Sequence, residues 1–362
     1  MEYQDSLYLH ALNLLPQFGP KKLIKLANYF ASFQDAFQAS KADLIIAGLE
    51  PELCEVWLSK KQTIDIATEY NRLEQMGIGL LNYTDSAYPE LLKEIAGFPP
   101  LLYTRGTIPK TDGLAVAVVG TRKITTYGRL VTPHILGPLV DAGIVIVSGL
   151  AYGVDALAHK QAVEKNRPTI AVLGGGLDDA SFYPKHHLLF AQEIIEAGGC
   201  IISEYPPGTP PLKQYFVARD RIISGTSVGT LIIECDLKSG SLITAQYALD
   251  QDRRLYAVPG PIYAAESRGP NNLIRMGATL VTESKDILDD LNINTVQITE
   301  TVLVETPEER VLLELLSREP IQSDALVASS GLSAGQVNTT LTFLEMKGLV
   351  RNLGGQQYIR SR

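Results

Sequence analysis

Short apolar runs recur through the middle of the chain, each bounded by glycine, proline or polar residues. They are continuous instead of alternating and rich in β-branched residues, which is typical of parallel strands buried on both faces. Helix-length segments separate them. The predicted strands are Ala115–Val119, Ile144–Val147, Thr169–Leu173, Cys200–Ile202, Thr230–Ile233 and Leu255–Val258. The pattern predicts an α/β domain over residues 101–290, with an extended, doubly wound Rossmann-like parallel sheet.

Residues 1–100 follow a helical pattern instead. Leu23, Leu26 and Phe30 lie at helical spacing, and the preceding segment 15–22 combines a glycine turn with two lysines. Such a segment resembles a helix-hairpin-helix, which offers turn amides and lysines to a DNA phosphate without reading bases. We therefore predict a small helical domain, of the SAM or helix-hairpin-helix type, over residues 1–100. This domain could either contact DNA or serve only as a packing module.

The C-terminal part of the chain predicts a linker followed by a winged helix. Residues 291–306 are polar and without sustained periodicity. Three short helical patterns and a Gly-Gly hairpin then occupy residues 307–362, with Thr306 as cap and Pro307 as first helical residue. The recognition-helix candidate, residues 333–347, has no arginine and a single terminal lysine, which disfavours sequence-specific reading of a major groove.

Charge and composition limit the classes of protein. The formal net charge of −8 argues at first against nucleic acid, but residues 119–260 hold thirteen basic and thirteen acidic residues. A neutral domain can present a local basic pocket, with weak long-range steering of DNA. Cys54, Cys200 and Cys235 are widely spaced, so we expect buried thiols and a reducing cytoplasm. No apolar run reaches the roughly 18 residues of a membrane span, so we expect no membrane association.

Almost every predicted strand ends in a loop of small residues. Right-handed connections bring the carboxyl ends of parallel strands to one edge, where helix N-termini also point. Glycines let backbone amides approach an anion closely, and the helix dipole favours negative charge there. The predicted DNA-binding residues in these loops are Gly120, Arg122, Lys123, Ser148, Gly149, Gly153, Gly175, Lys238, Ser239, Gly240 and Ser241. Such a row of loops can serve several successive phosphates.

The segment 213–225 favours a nucleic-acid strand over a mononucleotide. Lys213, Phe216 and Arg219 are spaced by three residues, and a cation beside an aromatic ring suits a strand whose phosphate is neutralised while its base stacks. The same segment adds three more predicted residues, Arg221, Ser224 and Gly225. Neither a dinucleotide fingerprint nor a Walker A motif is present, so we expect no cofactor, and no metal site is predicted.

With these residues in view, residues 115–288 resemble the DNA processing protein A (DprA/Smf) family. The matching segments include VGTRKITTYG (119–128), IVSGLAYGVDALAH (146–159), TIAVLGGGLD (169–178), SEYPPGTPP (203–211), RDRIISG (219–225), KSGSLITA (238–245) and PNNLIRMGA (270–278). The resemblance implies a cytoplasmic homodimer that binds single-stranded DNA, protects incoming strands in natural transformation and loads RecA, without catalysis. By motif it assigns DNA binding to Arg122, Lys213, Phe216, Arg219, Arg221 and Lys238.

One position departs from the family pattern. Asp220 stands where the family usually has asparagine between two arginines. A carboxylate there would lock the arginines in an ion pair, or weaken phosphate binding by repulsion.

Two other functions compete with strand binding. Residues 225–230 with Glu234 faintly resemble the PGGxGTxxE motif of nucleotide phosphoribohydrolases, although Glu234 ends a strand here. The winged helix alone would suit a DNA-binding regulator.

Asp155 and His159 lie four residues apart, and we expect them to form a hydrogen-bonded pair at a helix start.

Overall fold

The computed structural model describes residues 2–111, 114–293, 306–317, 319–347 and 349–360. The chain forms two compact units, Met1–Asn294 and Thr295–Arg362. The predicted linker, 291–306, falls mostly on residues 294–305, which lie outside the described residues. The linker therefore stays a prediction.

Helices form the first layer of the larger unit. They are α1 (Glu2–Asn13), α2 (Pro20–Tyr29), α3 (Phe33–Gln38), α4 (Lys41–Ile46), α5 (Pro51–Lys61) and α6 (Ile66–Gln75). Ser32, Ser40 and Asp65 each accept a hydrogen bond from the backbone N–H three residues further on, which satisfies a free amide at a helix start. In the predicted helix-hairpin-helix segment Phe18 is buried, so its turn packs within this layer.

The helical prediction for residues 1–100 is wrong near its end. Strand β1 (Gly79–Asn82) pairs antiparallel with β2 (Leu101–Gly106), and a four-residue helix, α7 (Glu90–Lys93), lies between them. Strand β2 in turn pairs antiparallel with β6 (Cys200–Ser203). Four residues span too few periods to distinguish a strand from a helix, and the strand forms because a distant partner supplies its neighbours. The domain boundary at residue 100 stays a prediction.

The central sheet has nine strands among the described residues, in the order β1-β2-β6-β5-β4-β3-β7-β8-β9. The remaining strands are β3 (Ala115–Val119), β4 (Val145–Ser148), β5 (Thr169–Val172), β7 (Gly229–Ile232), β8 (Arg254–Ala257) and β9 (Thr279–Leu280). Every pairing from β6 to β9 along this order is parallel. The predicted doubly wound sheet is confirmed, with an antiparallel extension at one side.

Helices cover both faces of this sheet. They are α8 (Thr126–Asp141), α9 (Val154–Val163), α10 (Leu188–Glu196), α11 (Lys213–Gly225), α12 (Ser241–Asp250), α13 (Arg268–Arg275) and α14 (Ser284–Asp290). All five residues of β3 are buried because both of its faces are covered. The chain moves outward from β3 through β4, β5 and β6, then returns to β7 on the other side of β3. This reversal leaves a crevice beyond the carboxyl end of β3, where sheets of this kind bind ligands.

A buried polar network joins the helical layer to the sheet. The hydroxyl of the fully buried Tyr103, on β2, lies 2.8 Å from His10 Nδ1 and accepts a hydrogen bond from Asn13 Nδ2 at 3.2 Å. The same Asn13 amide donates to the backbone carbonyl of Glu204 at 3.1 Å. Buried polar groups need such partners, so these bonds specify how the helices dock on the sheet.

The smaller unit is a winged helix. Its elements are α15 (Pro307–Leu315), α16 (Ser323–Ser330), α17 (Ala334–Met346), β10 (Ile321–Gln322), β11 (Val350–Gly354) and β12 (Gln357–Arg360). The strands form a sheet in the order β10-β12-β11. The Thr306 hydroxyl accepts from the N–H of Glu309 at 3.2 Å, as the predicted cap requires.

Composition predicted buried free thiols and no membrane-spanning segment. The three cysteines are free and buried, as predicted. No helix within the described part of the chain is both long and apolar enough to cross a bilayer.

Removal of the Tyr103 hydroxyl tests the network between helices and sheet. Tyr103→Phe leaves Asn13 and His10 without their shared buried partner, so we expect the free energy of unfolding to fall by about 1–3 kcal/mol. Urea denaturation followed by circular dichroism measures this change. Tyr29→Phe, at a position that is 47% exposed, is the control and should change stability by less than about 0.5 kcal/mol. Equal stability of the two variants would contradict a structural role for the network.

Candidate nucleic-acid interface

A groove of about 780 Å³ lies in the crevice beyond the end of β3. The loops after β3 and β7 and the helices α11 and α12 bound it. It brings together nine of the predicted residues, Gly120, Arg122, Lys213, Phe216, Arg219, Lys238, Ser239, Gly240 and Ser241. Right-handed connections explain how residues so far apart in sequence reach one surface.

Three cations at the rim of the groove face solvent. Arg122, Lys213 and Lys238 are exposed, and none of them forms an ion pair with a carboxylate of the described ranges. The guanidinium carbon of Arg122 lies 5.8 Å from the centre of the half-buried Phe216 ring. The rim can therefore meet a phosphate and a planar apolar ring side by side.

Arg219 differs from the rim cations because it is buried in the floor of the groove. Its Nη1 donates to the carbonyl of Gly149 at 2.8 Å and also to the carbonyl of Val172. Its Nε lies 3.2 Å from the Asp220 carboxylate. A Cβ at position 149 would lie 2.0 Å from the guanidinium, so this close approach requires glycine. Arg219 thus joins α11 to the ends of β4 and β5.

Two carboxyl groups, Asp155 and Asp220, also line the floor. Burial raises the pKa of Asp220 to about 6, against the attraction of Arg219 and with repulsion from Asp155. Burial likewise raises the pKa of Asp155, again opposed by Arg219. The expected ion pair forms with one arginine only, because Asp220 pairs with Arg219 whereas Arg221 pairs with Glu204. Weaker phosphate binding caused by the Asp220 carboxylate stays a prediction.

The position of Asp220 follows a helical signal that the sequence already contained. On α11 the residues that line the groove are Lys213, Phe216, Val217, Arg219, Asp220 and Ile223. Residues 213, 216, 217 and 220 have the spacing of one helix face. Asp220 is four residues after Phe216, and residues four apart on a helix lie on the same face. A helical reading of this segment would therefore have placed Asp220 beside Phe216.

Four predicted residues, Ser148, Arg221, Ser224 and Gly225, line neither the groove nor its margin, because they pack inside the protein. Arg221 forms an ion pair of 2.5 Å with Glu204, and the Ser148 hydroxyl donates to a carbonyl of β3. Residues 224 and 225 are fully buried at the end of α11. The expectation that the whole predicted set lines one surface is therefore wrong for these residues. DNA contact by the others stays a prediction.

Three further predicted residues lie at the same edge of the sheet but do not line the groove. Lys123 is exposed next to Arg122, and Gly175 is buried in the loop after β5. Gly153 has a φ of +81° at the start of α9, where a Cβ would lie 2.3 Å from the carbonyl of Thr121. Glycine at 153 therefore permits the turn that brings the loops after β3 and β4 together.

Two acidic positions have structural partners. The buried Glu234 carboxylate accepts hydrogen bonds from the N–H of Thr125, at 3.0 Å, and from its hydroxyl, at the start of α8. The predicted pairing of Asp155 with His159 is wrong, because His159 Nδ1 bonds the Thr169 hydroxyl at 2.8 Å and Asp155 accepts from a loop amide. No group of three metal-ligating side chains occurs in the ranges that the structure covers.

A narrower cleft adjoins the groove beside Phe216. Its lining residues are Arg122, Gly149, Ala151, Tyr152, Tyr183, Pro184, Phe216 and Arg219, of which Arg122, Ala151, Phe216 and Arg219 also line the groove. Tyr152 and Tyr183 were not among the predicted site residues. An aromatic residue inside a glycine-rich loop at a strand end was the available signal.

Comparisons with known proteins agree with this architecture. A family model for "DNA recombination-mediator protein A" matches residues 79–292, and one for the "DprA winged helix domain" matches residues 300–356. The chain belongs to the DprA family. The predicted family is confirmed, and so is the winged helix at the C-terminal end of this DprA chain.

Individual DprA relatives cover most of the chain. Protein Smf of Escherichia coli K12 is 37% identical over 302 residues, which is 80% of this chain and 79% of that protein. The X-ray structure of DprA from Streptococcus pneumoniae is 33% identical, covers 79% of this chain and 97% of its own, and has a TM-score of 0.66. DprA from Helicobacter pylori, described for its single-stranded DNA binding mode, is 32% identical, covers 59% and 95%, and has a TM-score of 0.53.

The raised pKa of Asp220 predicts a pH dependence of stability. The carboxyl ionises near its ordinary pKa of 3.8 in the unfolded chain and near about 6 in the folded protein. The folded state therefore retains a proton that the unfolded state has released, and the free energy of unfolding falls as pH rises between these values. Asp220→Asn lacks this loss, so its stability relative to wild type should rise by a few kcal/mol from about pH 4 to about pH 7.

Urea denaturation across this pH range measures the difference. Asp236→Asn, which changes an exposed carboxyl in the loop after β7, is the matched control and should follow wild type. A difference between Asp220→Asn and wild type that stays constant with pH would contradict the argument from burial.

Proposed function

We propose that this chain binds single-stranded DNA along the groove. In this proposal Arg122, Lys213 and Lys238 neutralise successive phosphates while a base stacks on Phe216. The observation that carries it is that three exposed cations from three different elements line one groove together with Phe216, and none of them has an ion-pair partner among the described residues. A mononucleotide site would gather its donors around a single glycine-rich loop, whereas cations from three elements along one groove favour a chain of phosphodiesters.

Backbone groups support the same proposal. The Ser241 hydroxyl donates to the carbonyl of Gly120 at 2.8 Å, which ties the start of α12 to the loop after β3. Helix α12 has ten residues, and Gly240 at its start is exposed to the groove. Helix N-termini favour anions because their first amides are free and the helix dipole is positive there.

The other candidate functions have less support. A phosphoribohydrolase would need a free acid, whereas Glu234 is buried against Thr125 and the groove acids are held beside Arg219. A regulator would need base-reading side chains, whereas the described part of α17 contains no arginine. We infer that the chain acts by binding, without catalysis.

Family membership supports a wider role. We infer that this DprA chain works in the cytoplasm as a homodimer, protects strands taken up in natural transformation and loads RecA on them. The support for this is the similarity to proteins named for DNA processing, and for strand binding the Helicobacter pylori relative.

Loss of single rim cations tests the groove. Arg122→Ala and Lys213→Ala should each weaken binding to single-stranded oligonucleotides, and each lost phosphate contact should reduce the slope of log K against log salt by about 0.7. Both side chains are exposed, so melting temperatures should not change. Fluorescence anisotropy over a series of salt concentrations measures the effect, with duplex DNA as competitor. Lys60→Ala, an exposed lysine on α5, is the control, and wild-type binding by both test variants would remove the groove from the mechanism.

Phe216 can be tested separately from the charges. Phe216→Ala should reduce affinity by about 1–3 kcal/mol if a base stacks there, while Phe216→Tyr should retain most of it. The salt slope should stay the same because no phosphate contact is lost. Unchanged affinity together with a lower melting temperature would show that the ring serves only to pack against Tyr183, whose ring centre is 5.6 Å away.

A further inference from the structure

An aromatic surface continues beyond Phe216. The Tyr183 ring lies 5.6 Å from the Phe216 ring at an interplanar angle of 52°, and Tyr152 lines the same cleft. Tyr152 is 40% exposed and Tyr183 is 41% exposed, although large aromatic side chains are usually mostly covered. We name these two tyrosines the aromatic ledge.

Contacts with His187 hold the Tyr152 side of the ledge in place. The Tyr152 ring packs edge-on against His187 with 5.0 Å between ring centres. His187 Nδ1 is in turn hydrogen-bonded to the carbonyl of Leu150 at 2.8 Å. A ring that is already ordered in the free protein loses little side-chain entropy when a ligand stacks on it, which favours binding.

The ledge is continuous with the groove. Arg122 and Phe216 line both the groove and the cleft, so a strand that follows the rim cations past Arg122 arrives at the tyrosines. A base inserted between the rings of Phe216 and Tyr183 would need them about 6.8 Å apart, twice the 3.4 Å stacking rise of DNA. The rings are closer than this and tilted. A base can therefore stack only on the exposed faces of the ledge.

We propose that Tyr152 and Tyr183 form a second base-stacking site, which takes a nucleobase of the same single strand next to the one on Phe216. This inference rests on the proposed strand binding. Every base has a stacking face, so the ledge lengthens the bound stretch of DNA without adding sequence preference. A protein partner's apolar side chain is the other candidate occupant, and the DNA measurements below exclude one or the other.

The test is a length series of oligothymidylates bound to wild type, Tyr152→Leu and Tyr183→Leu. Short strands that occupy only the groove should bind all three proteins equally. From the length at which the strand reaches the ledge, wild type should gain at least about fivefold in affinity and the two variants should not. One abasic position placed there should remove the difference between wild type and variants. The control is Tyr29→Leu, because Tyr29 is exposed and lines neither the groove nor the cleft.

The outcomes separate this inference from the proposed function. Wild-type affinity of both variants at every length, or an equal loss at every length, overturns the ledge as a nucleobase site and leaves the protein partner. Strand binding itself fails if wild type binds no oligonucleotide, or if Arg122→Ala and Phe216→Ala bind like wild type. Should Tyr183→Leu lower the melting temperature through its contact with Phe216, Tyr152→Leu decides, because that ring packs on His187 instead.

Discussion

A guanidinium buried beneath a loop must find acceptors for its N–H groups, because an uncompensated buried charge costs several kcal/mol. Arg219 finds them in the carbonyls of Gly149 and Val172, at the ends of two adjacent strands, and it has Asp220 as its counter-charge. These bonds fix α11 over the sheet edge. Lys213 and Phe216 lie on the same helix one to two turns earlier, so these bonds help to position both residues at the groove, together with the buried Ile222 and Ile223 of α11.

Charged groups of both signs line the groove, and they occupy different parts of it. Its floor combines Arg219 with two carboxyl groups, Asp155 and Asp220, while the rim carries Arg122 and cations from two other elements. This arrangement explains how a chain with a net charge of −8 can present a local anion site. The attraction of the rim is short-ranged, so in the proposed function contact with a strand would depend on close approach and on the aromatic rings more than on long-range steering.

The same strand-end edge that hosts catalysis in many α/β proteins is arranged differently here. Its most buried acid, Glu234, accepts hydrogen bonds from Thr125, the residue that caps α8. Two of its loops carry the exposed aromatic rings of Tyr152 and Tyr183. Phe216, Tyr183 and Tyr152 come from three separate elements and form one continuous apolar surface beside the cations. The fold alone does not distinguish a catalytic edge from a binding edge, so the proposed function is argued from the side chains found there.

The doubly wound sheet and its glycine-rich edge could be predicted from the residues, because buried parallel strands and right-handed connections allow few other arrangements. Local helix and turn signals predicted the winged helix, and shared motifs predicted the family. The spacing of three residues between Lys213 and Phe216 was also visible in the sequence, and the helix α11 brings both residues to one face. Long-range packing selects which of the two arginines, Arg219 or Arg221, lies in the groove. Residues two apart on a helix point in nearly opposite directions, and Arg221 forms an ion pair with Glu204. Strand β1 and the aromatic ledge likewise depended on partners far away in the chain, whose proximity arises only when the whole sheet has formed.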